Sequence, residues 1–259
     1  MLDVDRVTAR AFGFREALAV GVGPFHRHAR HQLLYMPEGL VRLETASRVL
    51  TLPAVRAALV TAGVEHRVEV LRPAVLCSVW LAAELSALPS TSTECVVFEV
   101  SPLLRELFLT APRFGPEHAE TPLATSVLEA LARLAAEAMV TPQALALPRA
   151  RSPELVRATD HLLAHLDAAP SAETLARAAG VSTRTLTRRF AEELGTSLRE
   201  YRETARMIRA FELLSDPRVR VSDVGAAIGF ATPSAFTEAF TRFAGEPPTR
   251  YRARLAEPR

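Results

Sequence analysis

Apolar positions change their spacing twice along this chain. Between Ala17 and Val100 they fall in short runs separated by Pro and Gly, at residues 33–36, 39–43, 48–52, 57–60, 66–70, 75–81 and 95–100. Such runs bounded by turn formers predict β-strands, and their close spacing predicts a small sandwich or barrel. After Val100 the spacing becomes three and four. Ser101-Pro102 opens a helix with Leu103, Leu104, Leu107 and Phe108 on one stripe, and Thr121-Pro122 opens another, with Leu123, Val127, Leu128, Leu131, Leu134 and Ala135 on one face as far as about Met139. Such a stripe can pack on the chain's own barrel or on a second subunit, and we read it as part of a dimer contact. Thr141 to Pro153 holds three prolines and reads as a linker. Ser152-Pro153 then caps a helix with Leu155, Val156, Thr159, Leu162, Leu163 and Leu166 inward; His161 and His165, four apart on it, read as an exposed pair.

From Ser171 to Arg252 the pattern repeats. At an offset of fifty, Ser182 falls on Thr232, Leu186 on Phe236, Thr187 on Thr237, Phe190 on Phe240, Gly195 on Gly245, and Tyr201-Arg202 on Tyr251-Arg252. Each half reads as a short apolar helix (Leu175, Ala176, Ala179; then Val224, Ala227, Ile228) ending at Gly180 or Gly229, where a tight turn needs a left-handed residue. Ser182 and Thr232 then serve as N-caps for a second helix. Leu186 with Phe190, and Phe236 with Phe240, face inward; Arg184, Thr187 and Arg188, and Ser234, Thr237 and Glu238, face outward. Ser197 to Leu214 has no Pro or Gly and predicts one connecting helix, closed by Asp216-Pro217. At 1.5 Å per residue it is roughly 27 Å long. That length suits two reading helices about 34 Å apart, one turn of B-DNA.

The series Leu175-Ala176, Gly180-Val181-Ser182, Arg184, Leu186, Arg188, Phe190, Gly195, Tyr201 and Arg206 resembles the C-terminal domain of AraC/XylS-type transcription regulators. A second series continues the likeness: Asp223, Gly229-Phe230, Phe236, Phe240, Phe243-Ala244-Gly245, Pro247-Pro248 and Tyr251-Arg252. The resemblance implies sequence-specific binding to double-stranded DNA. Two positions depart from it. Gly225 stands where the family usually has Ala, a helix-propensity cost of about 1 kcal/mol, and Glu238 stands where many members are basic. The first unit is therefore expected to do most of the reading. Arg184 and Arg188 are the candidates for base contacts, because Arg bonds guanine O6 and N7 in bidentate fashion. Thr187, Ser234, Thr237 and Glu238 are secondary candidates, and Thr183, Arg189, Arg199 and Arg202 are candidates for phosphates.

Charge adds little. Residues 1–150 carry 14 Arg against 15 acidic residues and residues 151–259 carry 17 against 14, with no lysine anywhere. That asymmetry is too small to argue for DNA without the repeat. Cys77 and Cys95 are too few and too far apart for a disulfide framework or a Cys-x-x-Cys metal site, and read as buried small hydrophobes. Met1 to Glu16 mixes charges and lacks a signal-peptide core, and no apolar run is long enough for a bilayer, so a soluble, cytoplasmic protein is expected.

Within the strand region, His26-x-His28-x3-Gln32-x6-Gly39 and Gly63-x2-His66 resemble the paired motifs of the cupin barrel, a sensor domain that commonly precedes this DNA-binding domain. The resemblance implies a divalent metal on His26, His28 and His66, although metal-binding cupins have Glu at the position of Gln32, Pro at that of Thr61 and Asn at that of Val70. His26, His28, Gln32, Tyr35, His66 and Trp80 are candidate lining for a small-molecule effector at the barrel mouth. His31 is expected on the surface. The expected chain is thus α+β and multidomain: a cupin-like β-barrel at 1–100, a helical extension at 101–140, a linker at 141–152, and an all-α domain with two helix-turn-helix units at 153–259. The expected function is a ligand-responsive, homodimeric DNA-binding regulator in contact with RNA polymerase. Two alternatives stay open: a metal-dependent cupin enzyme with an accessory helical domain, and a ligand-blind regulator whose barrel only dimerises.

Overall fold

In a computed structural model the described residues are 3–84, 88, 94–140 and 145–256. They divide into two compact units, one within 1–144 apart from 47–49, the other within 145–259 together with 47–49.

The first unit is rich in β-sheet and carries the two helices that follow it. Its strands are β1 (Ala11–Leu18), β2 (Gly21–Val22), β3 (Arg30–Thr45), β4 (Arg48–Pro53), β5 (Arg56–Val60), β6 (His66–Ala82) and β7 (Cys95–Glu99). They are ordered β1-β6-β3-β4, with β2 on β6 and β5 bridging β3 and β7. Two expectations change here. Runs 33–36 and 39–43 form one strand, as do 66–70 and 75–81. In β3 the register slips between Tyr35 and Val41, around Pro37. A proline without an N–H is accommodated at such a bulge as readily as in a turn. Residues 11–16, which precede the first stretch read as strand, belong to β1, paired with β6 from Ala11↔Leu81 to Leu18↔Ala74. The strand fits only because of Gly13, whose N–H donates to Phe114 O at 2.8 Å. A Cβ there would lie 2.0 Å from Ala111 O.

α1 (Pro102–Thr110) and α2 (Pro122–Ala138) start at the expected caps: Ser101 Oγ accepts from Leu104 N and Thr121 Oγ1 from Ala124 N. Their apolar stripe is covered by the chain's own barrel rather than left for a second copy. Leu104, Phe108, Leu128, Leu131 and Ala135 share one core with Leu33, Tyr35, Leu59, Val79 and Phe98. Each fully buried side chain of this size contributes about 1.5–3 kcal/mol. Leu103 and Leu123, expected on the stripe, are 61% and 65% exposed. Tyr35 stacks on Phe108 at 5.2 Å, so it is a core residue and not a pocket wall.

The second unit is all-α apart from a short strand, β8 (Ala146–Pro148), which falls in the stretch expected as linker; residues 141–144 of that stretch lie outside the described residues. Its helices are α3 (Pro153–Ala164), α4 (Ala172–Ala179), α5 (Thr183–Leu194), α6 (Leu198–Leu214), α7 (Val221–Ala227), α8 (Pro233–Ala244) and α9 (Pro248–Ala256). α6 begins in a capping box: Ser197 Oγ accepts from Glu200 N, and Glu200 returns a carboxylate to Ser197 N at 3.0 Å. Ser152 does not cap α3 with its hydroxyl. Glu193, from the end of α5, accepts from Arg151 N and Ser152 N at 2.6 and 2.9 Å instead. Leu163, expected inward, is 43% exposed. Among the described residues, no helix is long and apolar enough to cross a membrane.

Candidate nucleic-acid interface and barrel site

Both helix-turn-helix units form where the repeat places them. α4 ends at Gly180 in the left-handed region, and α5 follows with Ser182 Oγ accepting from Thr185 N at 3.1 Å. α7 ends one residue before the equivalent glycine, and Gly229 takes φ +80. A side chain at Gly229 would also lie 2.5 Å from Leu166 O, so both backbone angle and space demand glycine. Thr232 Oγ1 then accepts from Ala235 N to start α8. The turn is one residue longer in the second unit: Gly180 precedes the N-cap by two positions and Gly229 by three.

Leu186, Phe190, Phe236 and Phe240 are buried, as their spacing requires. Arg184, Thr187 and Arg188 are exposed on α5, and Ser234, Thr237 and Glu238 on α8. The two faces differ in chemistry. Among the described residues Arg184 has no hydrogen-bond or ion-pair partner. Arg188 lies 3.1 Å from Glu192 with both side chains mostly exposed, a pair that costs little to open. Glu238 holds Arg242 at 2.6 Å. Thr187 Oγ1 donates to Thr183 O at 3.0 Å.

Three arginines behave differently from their neighbours. Arg189, expected at a phosphate, is half-buried and bonded to Glu154 at 2.9 Å, which ties α5 to α3. Arg199 is exposed but engaged with Glu203 at 2.9 Å, and Arg202 is only half-exposed. Sequence reasoning gave Arg206 no role. Its guanidinium donates to Gly229 O at 3.0 Å and lies over the Phe230 ring at 5.3 Å, fastening α6 to the second turn. Arg252 does similar work from α9, donating to Val219 O and Leu213 O. The signal for these roles was a long cationic side chain at positions otherwise facing inward.

In the first unit, His26, His28 and His66 come together. The backbones of His26 and His66 form a reciprocal bridge with both N···O distances at 2.9 Å. The ring centroids lie 4.3 Å (His26–His66), 5.1 Å (His28–His66) and 6.2 Å (His26–His28) apart. His28 and His66 are buried and His26 is exposed. Burial pushes the His66 imidazolium down to about 4, and lowers that of His28, so both rings are neutral near pH 7. Trp80 meets His28 edge-on at 4.6 Å, and Gln32 is buried nearby with its amide nitrogen on Ser78 Oγ at 3.1 Å. His31 is not a plain surface residue. It is partly buried and its Nδ1 accepts from Ala62 N at 3.2 Å. A separate pocket of about 160 Å³ lies between β1 and α2, lined by Arg10, Leu81, Glu120, Thr125 and Leu128 among others.

A helix-turn-helix domain model matches residues 175–254. Over 237 residues the chain is 30% identical to the HTH-type transcriptional regulator NimR of Escherichia coli (strain K12), covering 90% of this chain and 83% of that protein. The chain belongs to the AraC/XylS-type transcription regulators. Among solved structures it is similar to an AraC-type regulator from Chromobacterium violaceum, at 30% identity and a TM-score of 0.38, over 41% of this chain and 96% of that one. It is also similar to the DNA-binding domain of AdpA, solved with a target DNA, at 34% identity and a TM-score of 0.37, over 39% of this chain and 92% of that one. The regulator is a DNA-binding protein that acts on transcription, and the residues matched by the helix-turn-helix domain lie within its second unit.

Proposed function

We propose that the regulator reads its operator chiefly through α5, with Arg184 and Arg188 on base edges, and that a small molecule bound at the histidine end of the barrel sets its activity. The observation that carries the reading is Arg184: an exposed guanidinium in the first turn of a reading helix, without an intramolecular partner among the described residues. A long cationic side chain kept unengaged at a helix N-terminus is suited to bidentate contact with guanine. Thr187 flanks it, while Ser234, Thr237 and Glu238 give α8 a weaker, secondary role. Thr183 and the free N–H groups at the start of α5 suit phosphate oxygens. Arg189, half-buried and paired with Glu154, is the weaker phosphate candidate.

The effector half of the reading is supported by His26, His28, Gln32, His66 and Trp80, which gather polar atoms and one aromatic ring into a single cluster. Family membership supports a regulatory role, in the cytoplasm, over the metal-enzyme alternative. The test is binding of the purified full chain to fragmented source DNA at fixed, near-physiological salt, followed by sequencing. The expected result is a shared site with two short blocks about one helical turn apart, the α5 block being the more constrained. Equal constraint in both blocks, or an Arg184→Ala protein with unchanged site preference, would overturn the assignment.

A further inference from the structure

Between β1 and α2 the packing leaves a cavity of about 160 Å³. Protein interiors hold few voids larger than a water molecule, so this one needs a cause. It lies where small side chains meet: Ala11 on the strand and Ala132 on the helix both line it, and a larger residue at either position would fill it. Thr125, Leu128, Glu129 and Ala132 also line it, at a spacing that sets them on one face of α2. Leu131 and Ala135 meanwhile seat the same helix in the core it shares with Leu81 and Val79. α2 is thereby held where it is, and the space stays open.

The cavity is separate from the histidine cluster. Trp80 and Leu81 are successive residues of β6, and successive side chains of a strand point to opposite faces. Trp80 meets His28 edge-on at 4.6 Å, whereas Leu81 lines the cavity and belongs to the core under α2. The rim of the cavity carries charge of both signs. Arg10, Glu120 and Glu129 all line it and are exposed, and among the described residues none of these side chains has a hydrogen-bond or ion-pair partner. Opposite charges left unpaired around one opening are complementary to a molecule that bears both. An engineered apolar cavity of about 150 Å³ accepts benzene, so the floor of Leu81, Leu128 and Ala132 has room for an apolar body of roughly six non-hydrogen atoms.

We infer that this cavity is a second ligand site of the regulator, for a zwitterionic α-amino acid with an apolar side chain of leucine's size. The side chain lies on Leu81, Leu128 and Ala132. The carboxylate takes the Arg10 guanidinium, whose planar fork suits two parallel hydrogen bonds, and the ammonium donates to Glu120 or Glu129. A ligand held in this way ties the start of β1 to α2 on the helix-covered face of the sheet. The assignment goes beyond the operator reading and the histidine site, and it stands if either of those fails.

The test is an amide NMR titration of the isotope-labelled full chain, without DNA, using three probes that share one apolar body. These are leucine, isocaproate, which lacks the ammonium, and isoamylamine, which lacks the carboxylate. Leucine is expected to give saturable shifts centred on β1 and α2 with a dissociation constant of roughly 0.1–1 mM, in keeping with about nine non-hydrogen atoms. Each fragment is expected to bind roughly tenfold more weakly. Arg10→Gln is expected to weaken leucine roughly tenfold and leave isoamylamine unchanged. The double variant Glu120→Gln with Glu129→Gln is expected to weaken leucine and leave isocaproate unchanged. Both alter exposed side chains, so the fold is kept. Ala132→Leu, with its circular dichroism unchanged, is expected to abolish leucine binding by filling the cavity. No saturable shift with leucine up to about 10 mM, or leucine binding no tighter than its two fragments, would overturn the inference. So would an Ala132→Leu titration indistinguishable from the original, which would move the ligand to another site, the histidine cluster included.

Discussion

The two helix-turn-helix units occupy one domain and are built to one plan, yet corresponding positions hold different chemistry. On the outward face Arg184 corresponds to Ser234 and Arg188 to Glu238, while Thr187 and Thr237 agree. On the inward face Ala176 and Leu186 in the first unit become Gly225 and Phe236 in the second. A Cβ on Gly225 would lie 2.9 Å from Phe236 Cβ. The glycine that looks like a loss of helix propensity is what lets α7 and α8 approach this closely at Phe236. The second unit also gathers rings: Phe240 meets Phe211 at 5.0 Å, Phe236 at 5.7 Å and Tyr251 at 5.9 Å. α8 starts with Pro233, so it offers one fewer free N–H to a phosphate than α5. The difference teaches a division of labour: α5 is equipped to discriminate, and α8 to be held firmly in place.

The largest test of that division is Phe240→Ala. Removing a fully buried ring from this cluster should cost about 3–5 kcal/mol. Chemical denaturation should show an earlier unfolding midpoint, and specific binding should fall with it; a midpoint shift under about 1 kcal/mol would deny the cluster its structural role. Next comes the matched pair at one position of the plan. Arg184→Ala should lose about 1–3 kcal/mol of specific binding and relax one base position, whereas Ser234→Ala should stay within about 0.5 kcal/mol. Competition binding with single-base operator variants measures both, and equal losses would erase the comparison.

A smaller effect is expected of Gly225→Ala. Alanine gains about 1 kcal/mol of helix propensity, but overpacking against Phe236 costs about 1–3 kcal/mol. The net should be a destabilisation of about 1 kcal/mol, read as an earlier midpoint in chemical denaturation; a more stable variant would show that α7 and α8 separate freely. The smallest effect is that of Glu238→Gln. It removes a negative charge from the second reading face and releases Arg242, and affinity should rise about twofold at low salt and less at high salt. A fall in affinity confined to sites with cytosine under α8 would instead make Glu238 a reader of cytosine N4.

Much of the helical half was legible because its signals are local. Hydroxyl caps, prolines at first helical positions and glycines after the last turn fix boundaries within a few residues of chain. The capping box at Ser197 and the left-handed Gly180 are of this kind. What escaped the sequence depends on contacts far apart in the chain. Arg189 looked like its exposed neighbour Arg188 until Glu154, 35 positions away, took it. Ala227 looked apolar and inward, yet it is exposed, and Gly225 holds the buried place. β1 was hidden because its defining feature is a missing side chain at Gly13, which speaks only once Ala111 is known to lie against it. In the barrel, the histidine spacing pointed to a cluster, but Tyr35 was drawn the wrong way because strand alternation alone does not say which face α1 will cover.

The capping box gives α6 one more consequence. It pins the first residue of a helix whose middle is fastened to the second turn by Arg206, so the number of residues between those anchors sets a phase. Each added residue would turn everything beyond it by about 100° and advance it by 1.5 Å. A deletion in a surface turn is absorbed where it occurs, but a deletion in α6 would aim α8 at a different side of the double helix. If both reading helices engage the operator as proposed, the length of this one helix is a ruler for it, and the spacing between the two blocks of DNA is written in it.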